Sequence, residues 1–562
     1  MGRLRVFSRK TGKIKLLLFE GRAMDIRKTT EIKIKLIPYI LFPMMIGVLS
    51  GLVIFLFKIA AAAVMHCSER IYDLVRQNPI YLPLLVLGAA AIGAVAALVL
   101  KFAKECRGGG IPTAIASIRG LIPIKWVQGI FVLFFSALLT FFAGVPLGNE
   151  GPSVQMGAAV GEGSSRLSGK NKLAWKRYLM TGGACSGFAI ATGATLSGIM
   201  FALEEAHRRF STTVFTVASI SVLTGVVTQK ALSRIFDVDI TAFDLTITEV
   251  LPLRSLWAAL IIGAVCGGAS ILFTHLYRTV KSTSKNKLGK VPFAAKLIMI
   301  FAVTAVLGFF SANFIGTGHS LIEAILHGKT AWYAILLAFF VRAILMIAAS
   351  NEGVSGGIFV PSLAFGAMIA SLISDALIAL GLIDGQYYTI LIVVGMASFL
   401  SSSSRTPITA ITFAAEALCV ATNILPVVCG VVASYIVAEI SGKISFADTV
   451  IEAHAEAAHR GKSTVIISSH LVVQEGSFAD GMEIRDILWP PTCAVLSIDK
   501  KLSHTLHHSP HEVREGDMLH LHYQTYDPEK TMEMLTAILG EQPKNQKITT
   551  SSGSDDHVVP AD

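Results

Sequence analysis

Apolar stretches of membrane-spanning length recur along most of this chain, and no other feature restricts its fold so strongly. They begin near Leu36, Leu82, Val127, Tyr178, Val214, Leu256, Ala295, Ala331, Gly357, Leu391 and Pro407, and end by about Ile440. A helix needs roughly 20 such residues to cross a bilayer core. Backbone in lipid must satisfy its own hydrogen bonds, which leaves helices or closed barrels. A barrel would alternate apolar and polar residues over segments of about 10, and this chain does not. With 53% hydrophobic and 15% charged residues, it reads as an all-α polytopic membrane protein.

The formal charge of +10 is a topology signal before it is a nucleic-acid signal. Arg3, Arg5, Arg9, Lys10, Lys13, Lys15, Arg22, Arg27, Lys28, Lys33 and Lys35 all precede the first apolar stretch. The positive-inside rule places this leader (residues 1–33) in the cytoplasm, with some contact to anionic lipid. No early apolar core with a small-residue cleavage site marks a signal peptide. The membrane domain is expected over residues 34–450. Beyond it the chain is polar, and a small cytoplasmic α/β domain is expected over 466–541. Strands are expected at Ser463–Val473, Cys493–Ile498 and Met518–Tyr523, with a helix at Pro528–Leu539. Residues 545–562, rich in Ser, Asp and Gly, read as a disordered tail. Seven scattered cysteines without a CxxC pair read as apolar fillers. His504, His507, His508, His511, His520 and His522 read as a solvated run, so no metal site is assigned.

Within the membrane domain, Gly and Pro interrupt the apolar segments at Arg107–Pro112, Gly148–Pro152, Gly353–Pro361 and Ser401–Pro407. Non-helical backbone at membrane depth survives only in protein or beside a polar cavity. Broken helices at matching depths in two halves point to a transport site; the halves here are about 34–230 and 250–450. Glu150 lies among the glycines of Gly148-Asn149-Glu150-Gly151-Pro152. A carboxylate at this depth costs several kcal/mol or more, the mark of a functional site. Pro152 is expected as the first residue of a new helix. A helix N-terminus attracts anions, and here the chain supplies its own.

Four motifs occur in order: Gly108-Gly109-Gly110-Ile111-Pro112, Gly148 to Pro152, Gly357-Ile358-Phe359-Val360-Pro361, and Gly442-Lys443 before Phe446. This series resembles the CLC family of chloride channels and proton–chloride exchangers, whose signatures are GSGIP, GREGP, GxFxP and a later tyrosine. The resemblance implies an inverted repeat with broken helices, a homodimer, and one anion pathway per subunit. It implies anion binding around Gly109, Gly110, Ile111, Gly148, Asn149, Gly151, Ile358, Phe359 and Phe446. Glu150 matches the gating glutamate, and Glu205 the acid that takes up protons from the cytoplasm. The pair favours chloride/proton antiport. The alternatives are a passive voltage-gated chloride channel, or transport of fluoride or nitrate. Gly109 and Phe446 stand where the family has serine and tyrosine hydroxyls, and Asn149 where it has arginine. A hydrogen bond to a charged group contributes about 1.5–3 kcal/mol, so these departures bear on selectivity.

No cofactor is implied beyond the transported chloride and protons, and no enzyme activity. HExxH is absent. Gly353-Val354-Ser355-Gly356-Gly357 fits GxSxG by letter but lacks the strand–turn–helix a nucleophile needs. The tail resembles the TrkA-C module through Val472-Val473-Gln474-Glu475-Gly476-Ser477, Ile484 to Pro490 and Glu515-Gly516-Asp517-Met518-Leu519. Such modules dimerise, and in some cases bind a small regulatory nucleotide.

Overall fold

Gly-rich breaks and apolar runs generate one packing scheme twice. The computed structural model describes residues 37–108, 110–167, 172–238, 249–328, 330–459, 461–501, 511–542 and 548–551. The basic leader, Gly109, His504, His507, His508 and all of 545–562 except 548–551 lie outside the described residues.

The first half contains α1 (Phe42–Gln77), α2 (Leu82–Phe102), α3 (Ile111–Ile118), α4 (Trp126–Phe142), α5 (Glu150–Ser165), α6 (Lys172–Thr192), α7 (Thr195–Phe201) and α8 (Thr212–Phe236). The second contains α9 (Leu256–Lys287), α10 (Phe293–Phe310), α11 (His319–Leu326), α12 (Trp332–Asn351), α13 (Phe359–Ala379), α14 (Tyr388–Ser404), α15 (Pro407–Ala417), α16 (Ile424–Ile440) and α17 (Phe446–Ala458). Among the described residues, nine helical stretches are long and apolar enough to cross a membrane. The run from Pro407 to Ile440, expected as one segment, is two helices. Cys419 takes a left-handed backbone (φ 55) between them.

The repeat shows in the contacts. α1 packs on α8 and α6 as α9 packs on α16 and α14, and α5 lies on α6 as α13 lies on α14. Small residues permit this closeness. A Cβ on Gly183 would sit 2.0 Å from the Gly157 carbonyl, and one on Gly366 would sit 2.2 Å from that of Gly395. Helices associate in lipid through such backbone approach, because burying apolar side chains from lipid gains little. Between the halves, α7 and α15 cap each other. The Glu204 carboxylate accepts from the Ile408 and Thr409 amides at 2.8 and 2.6 Å. Glu416 accepts from the Leu196 and Ser197 amides at 2.7 and 3.1 Å. Each acid satisfies orphan N–H groups at the other helix's positive end.

The tail is a four-stranded antiparallel sheet in the order β3-β5-β1-β6, made of β1 (Val465–Val472), β3 (Ala494–Asp499), β5 (Met518–Thr525) and β6 (Ile548–Ser551). A short ladder joins β2 (Met482–Glu483) to β4 (Glu512–Val513). Helix α18 (Pro528–Leu539) buries Leu535, Ile538 and Leu539 with Ile467, Leu471, Leu519 and Leu521 of the sheet. Strand β6 corrects the expectation of disorder for those four residues. The edge of β1 offers unpaired N–H and C=O groups, and an extended Ile-Thr-Thr-Ser segment takes them up.

This domain is seated on the membrane domain through Ile484–Pro490. Arg177 of α6 donates to the Leu488 carbonyl at 3.1 Å and to that of Trp489. The Tyr178 hydroxyl donates to the Asp486 carbonyl and accepts from the Leu488 amide. The Asp486 carboxylate accepts from the Thr212 amide and hydroxyl at 2.8 and 2.7 Å, so a tail residue caps α8.

Candidate functional site

Three of the four glycine motifs, far apart in sequence, meet at one place. Gly148 and Gly357 form an antiparallel bridge, exchanging hydrogen bonds of 2.7 and 2.6 Å. The Gly108 amide bonds the Gly353 carbonyl at 2.9 Å. The N-termini of α5 and α13 thereby face each other across the bridge, with Gly110 at the start of α3 beside them. Partial positive charge from each terminus gathers there. Asn149 and Ile358 are half-buried while their neighbours Gly148, Glu150, Gly357 and Phe359 are buried. Ile111 and Phe359 are the first residues of α3 and α13.

Gly151 is required by closeness. A Cβ there would stand 2.6 Å from the Gly357 Cα and 2.7 Å from the Gly110 Cα. Gly151→Ala is expected to destabilise the fold by roughly 1–3 kcal/mol, read as a lower Tm in detergent. A Tm within a degree of the parent's would show that the three loops part freely.

Glu150 is 2% exposed. It is the first residue of α5, so the helix starts two residues before Pro152. Proline remains tolerable there because first-turn amides have no intrahelical acceptor. The carboxylate folds back over Gly148, where a Cβ would lie 2.2 Å from Oε2. It comes within reach of the backbone amides of Glu150 itself and of Val360 in the first turn of α13. Oε2 is buried without a hydrogen-bond partner. A side-chain anion thus lies across two helix N-termini with part of its bonding capacity unused.

Glu205 is 7% exposed, in a π-helical turn Ala202–Ala206 that continues α7. Arg119 fixes this turn by donating to the carbonyls of Glu205 and Ala206, both at 2.9 Å. Asp448, Glu204, Arg208 and Arg119 surround its carboxyl electrostatically. Adjacent in sequence, the two acids do different work: Glu204 caps α15, while Glu205 is turned inward. Arg208 pairs with Asp448 at 2.5 Å. A cavity of about 700 Å³ opens here, lined by Glu204, Arg208, Arg405, Lys443 and Asp448 among others.

Phe446 opens α17 and is 2% exposed, its ring edge-on to Tyr277 (5.1 Å) and Phe273 (5.3 Å) of α9. The Phe359 ring instead meets Phe188 and Phe413, each at 5.0 Å. Of the remaining charges, Arg342 is buried and donates to the carbonyls of Asn313, Ile315 and Gly316. Glu352 pairs with Lys296 at 2.9 Å. Two residues have roles that their sequence context did not assign. Asp486 gives no local signal; Lys58 does, as a lone cation inside Phe55-Leu56-Phe57-Lys58-Ile59.

Comparison with known proteins gives the family and the fold. A family model described as voltage gated chloride channel matches residues 88–439. The H(+)/Cl(-) exchange transporter ClcA of Citrobacter koseri is 28% identical over 362 residues, covering 63% of this chain and 75% of its own. That of Salmonella arizonae is 27% identical over 440 residues, 76% and 91% of the two chains. Among solved structures, a slow cyanobacterial Cl-/H+ antiporter superposes with a TM-score of 0.68 at 21% identity, over 75% of this chain and 99% of its own. A CLC-type fluoride/proton antiporter gives 0.60 at 20% identity, over 72% and 96%.

Proposed function

Since this chain belongs to the voltage gated chloride channel family, we propose that it exchanges chloride for protons, with Glu150 as the gate and Glu205 as the internal proton acceptor. The observation that carries this reading is the Glu150 carboxylate lying where two helix N-termini converge. Ionised, it occupies the place a transported anion needs. Protonated, it loses its hold on the amides and yields to chloride. Helix termini suit the task because partial charges bind an anion without trapping it. Gly110, Ile111, Gly148, Asn149, Gly151, Ile358 and Phe359 line this path in the proposal. Gly109 and Phe446 enter it by resemblance. A buried acid at Glu205, beside the charges of Asp448, Arg208 and Arg119, favours coupled exchange over a passive channel.

In this reading the leader and tail domain are cytoplasmic, on the Glu205 side. The protein is a homodimer, joined through the exposed apolar residues Leu196, Ile408, Leu425, Val432 and Ile436 of α7, α15 and α16. A small nucleotide on the tail domain would act through its seat on α6.

Purified protein in liposomes tests the central claim. A chloride gradient is expected to drive protons uphill against their own gradient. Chloride efflux without proton movement would leave the passive channel, and faster efflux of fluoride than of chloride would reassign the anion.

A further inference from the structure

We propose that Lys58 is the fixed cation of the outer anion site, a positioning residue that sets how firmly the anion is held beside Glu150. The inference rests on the transport reading above and adds a residue to it. The glycine motif carries no cation of its own, Asn149 being neutral.

Lys58 lies inside α1 and is 7% exposed. An ionisable residue buried at this depth needs partners and a reason. Its ammonium donates to the Ile190 and Ala191 carbonyls, each at 3.0 Å, at the negative end of α6. Three helices meet just below it. A Cβ on Gly187 of α6 would stand 2.4 Å from the Ser153 carbonyl of α5 and 3.2 Å from Ile54 of α1. One helical turn from this junction, towards the same face, come Lys58 on α1, Ile190 and Ala191 on α6, and Glu150 on α5. The cation is therefore level with the gate. Glu150 and, from the start of α11, His319 are among the ionisable groups that feel its charge. His319 lines a cavity of about 310 Å³ that also takes in Glu69, Asp73 and Arg76. Carbonyls at the end of α6 hold the ammonium in place, and its charge acts on the anion position through its field.

The bland alternative is a helix cap, and charge separates the two. Lys58→Gln keeps a donor for the carbonyls and removes the charge; Lys58→Met removes both; Lys58→Arg keeps both. Chloride-dependent exchange in liposomes is the assay, with Tm in detergent alongside. Loss of the charge is expected to raise the apparent KM for chloride about tenfold in the Gln and Met variants. Maximal rate should change far less, and Arg should keep the parental KM. A parental KM in Lys58→Gln overturns the proposal, whatever happens to Lys58→Met, and so does a lowered Tm as the sole change. Parent protein that moves no chloride fails the transport reading itself, a result distinct from a variant that matches a working parent.

Discussion

Glu150→Gln is expected to abolish proton movement while chloride continues to flow. Glutamine has the shape of the protonated acid and keeps a carbonyl for the amides of Glu150 and Val360, but it neither titrates nor competes as an anion. Removing a proton-transfer group typically costs about 10²–10⁴-fold in the proton step, so uphill proton flux in a chloride gradient should fall at least a hundredfold. Chloride flux should persist and lose its dependence on pH. Buried and two helical turns from the α5–α6 contact at Gly157 and Gly183, the residue tolerates an isosteric change without repacking. Undiminished proton flux in the variant would remove Glu150 from the mechanism. Loss of both fluxes with a lowered Tm would make it a structural cap.

Glu205→Gln should separate the two fluxes from the other side. Its turn is fixed by Arg119 through backbone carbonyls, so replacing the carboxyl leaves the backbone in place. Proton flux is expected to drop about a hundredfold, while chloride flux stays within about twofold of the parent and retains its pH dependence, since the gate is intact. Glu204→Gln is the matched control. That carboxylate accepts three hydrogen bonds at the start of α15, so its loss should lower stability by about 1–2 kcal/mol with coupling preserved. If Glu204→Gln uncoupled transport and Glu205→Gln did not, the assignment of the two acids would be reversed.

The sequence carries those parts of the fold that depend on local pattern. Apolar runs of bilayer length became helices, and Pro528–Leu539 is a helix to the residue because its Met, Leu and Ile spacing is written in a single segment. The four breaks were legible because Gly and Pro punctuate apolar runs, and Glu150 because a carboxylate there is expensive. What was not legible depends on partners distant in sequence. Glu416 caps α7 from a helix more than 200 residues further on. Asp486 caps α8 from another domain, and no local rule ties it to Thr212. Ile548–Ser551 is polar enough to read as disordered until the edge of β1 is beside it. Lys58 was in plain view, but its meaning depends on where α5 and α6 cross α1. Pro152 misled by two residues because a proline is acceptable anywhere in a first turn.

The bridge between Gly148 and Gly357 also has a consequence for synthesis. A ribosome adds about 5–20 residues per second, so the second loop follows the first by roughly 10–40 s. Throughout that interval the first half can be inserted and packed, with α1, α6 and α8 already in contact. Yet the Val360 amide has not been made, and the amides around Ile358 and Phe359 do not exist. The anion site therefore cannot be completed before the second half begins to assemble, and a chain interrupted midway holds a gate with nothing to close.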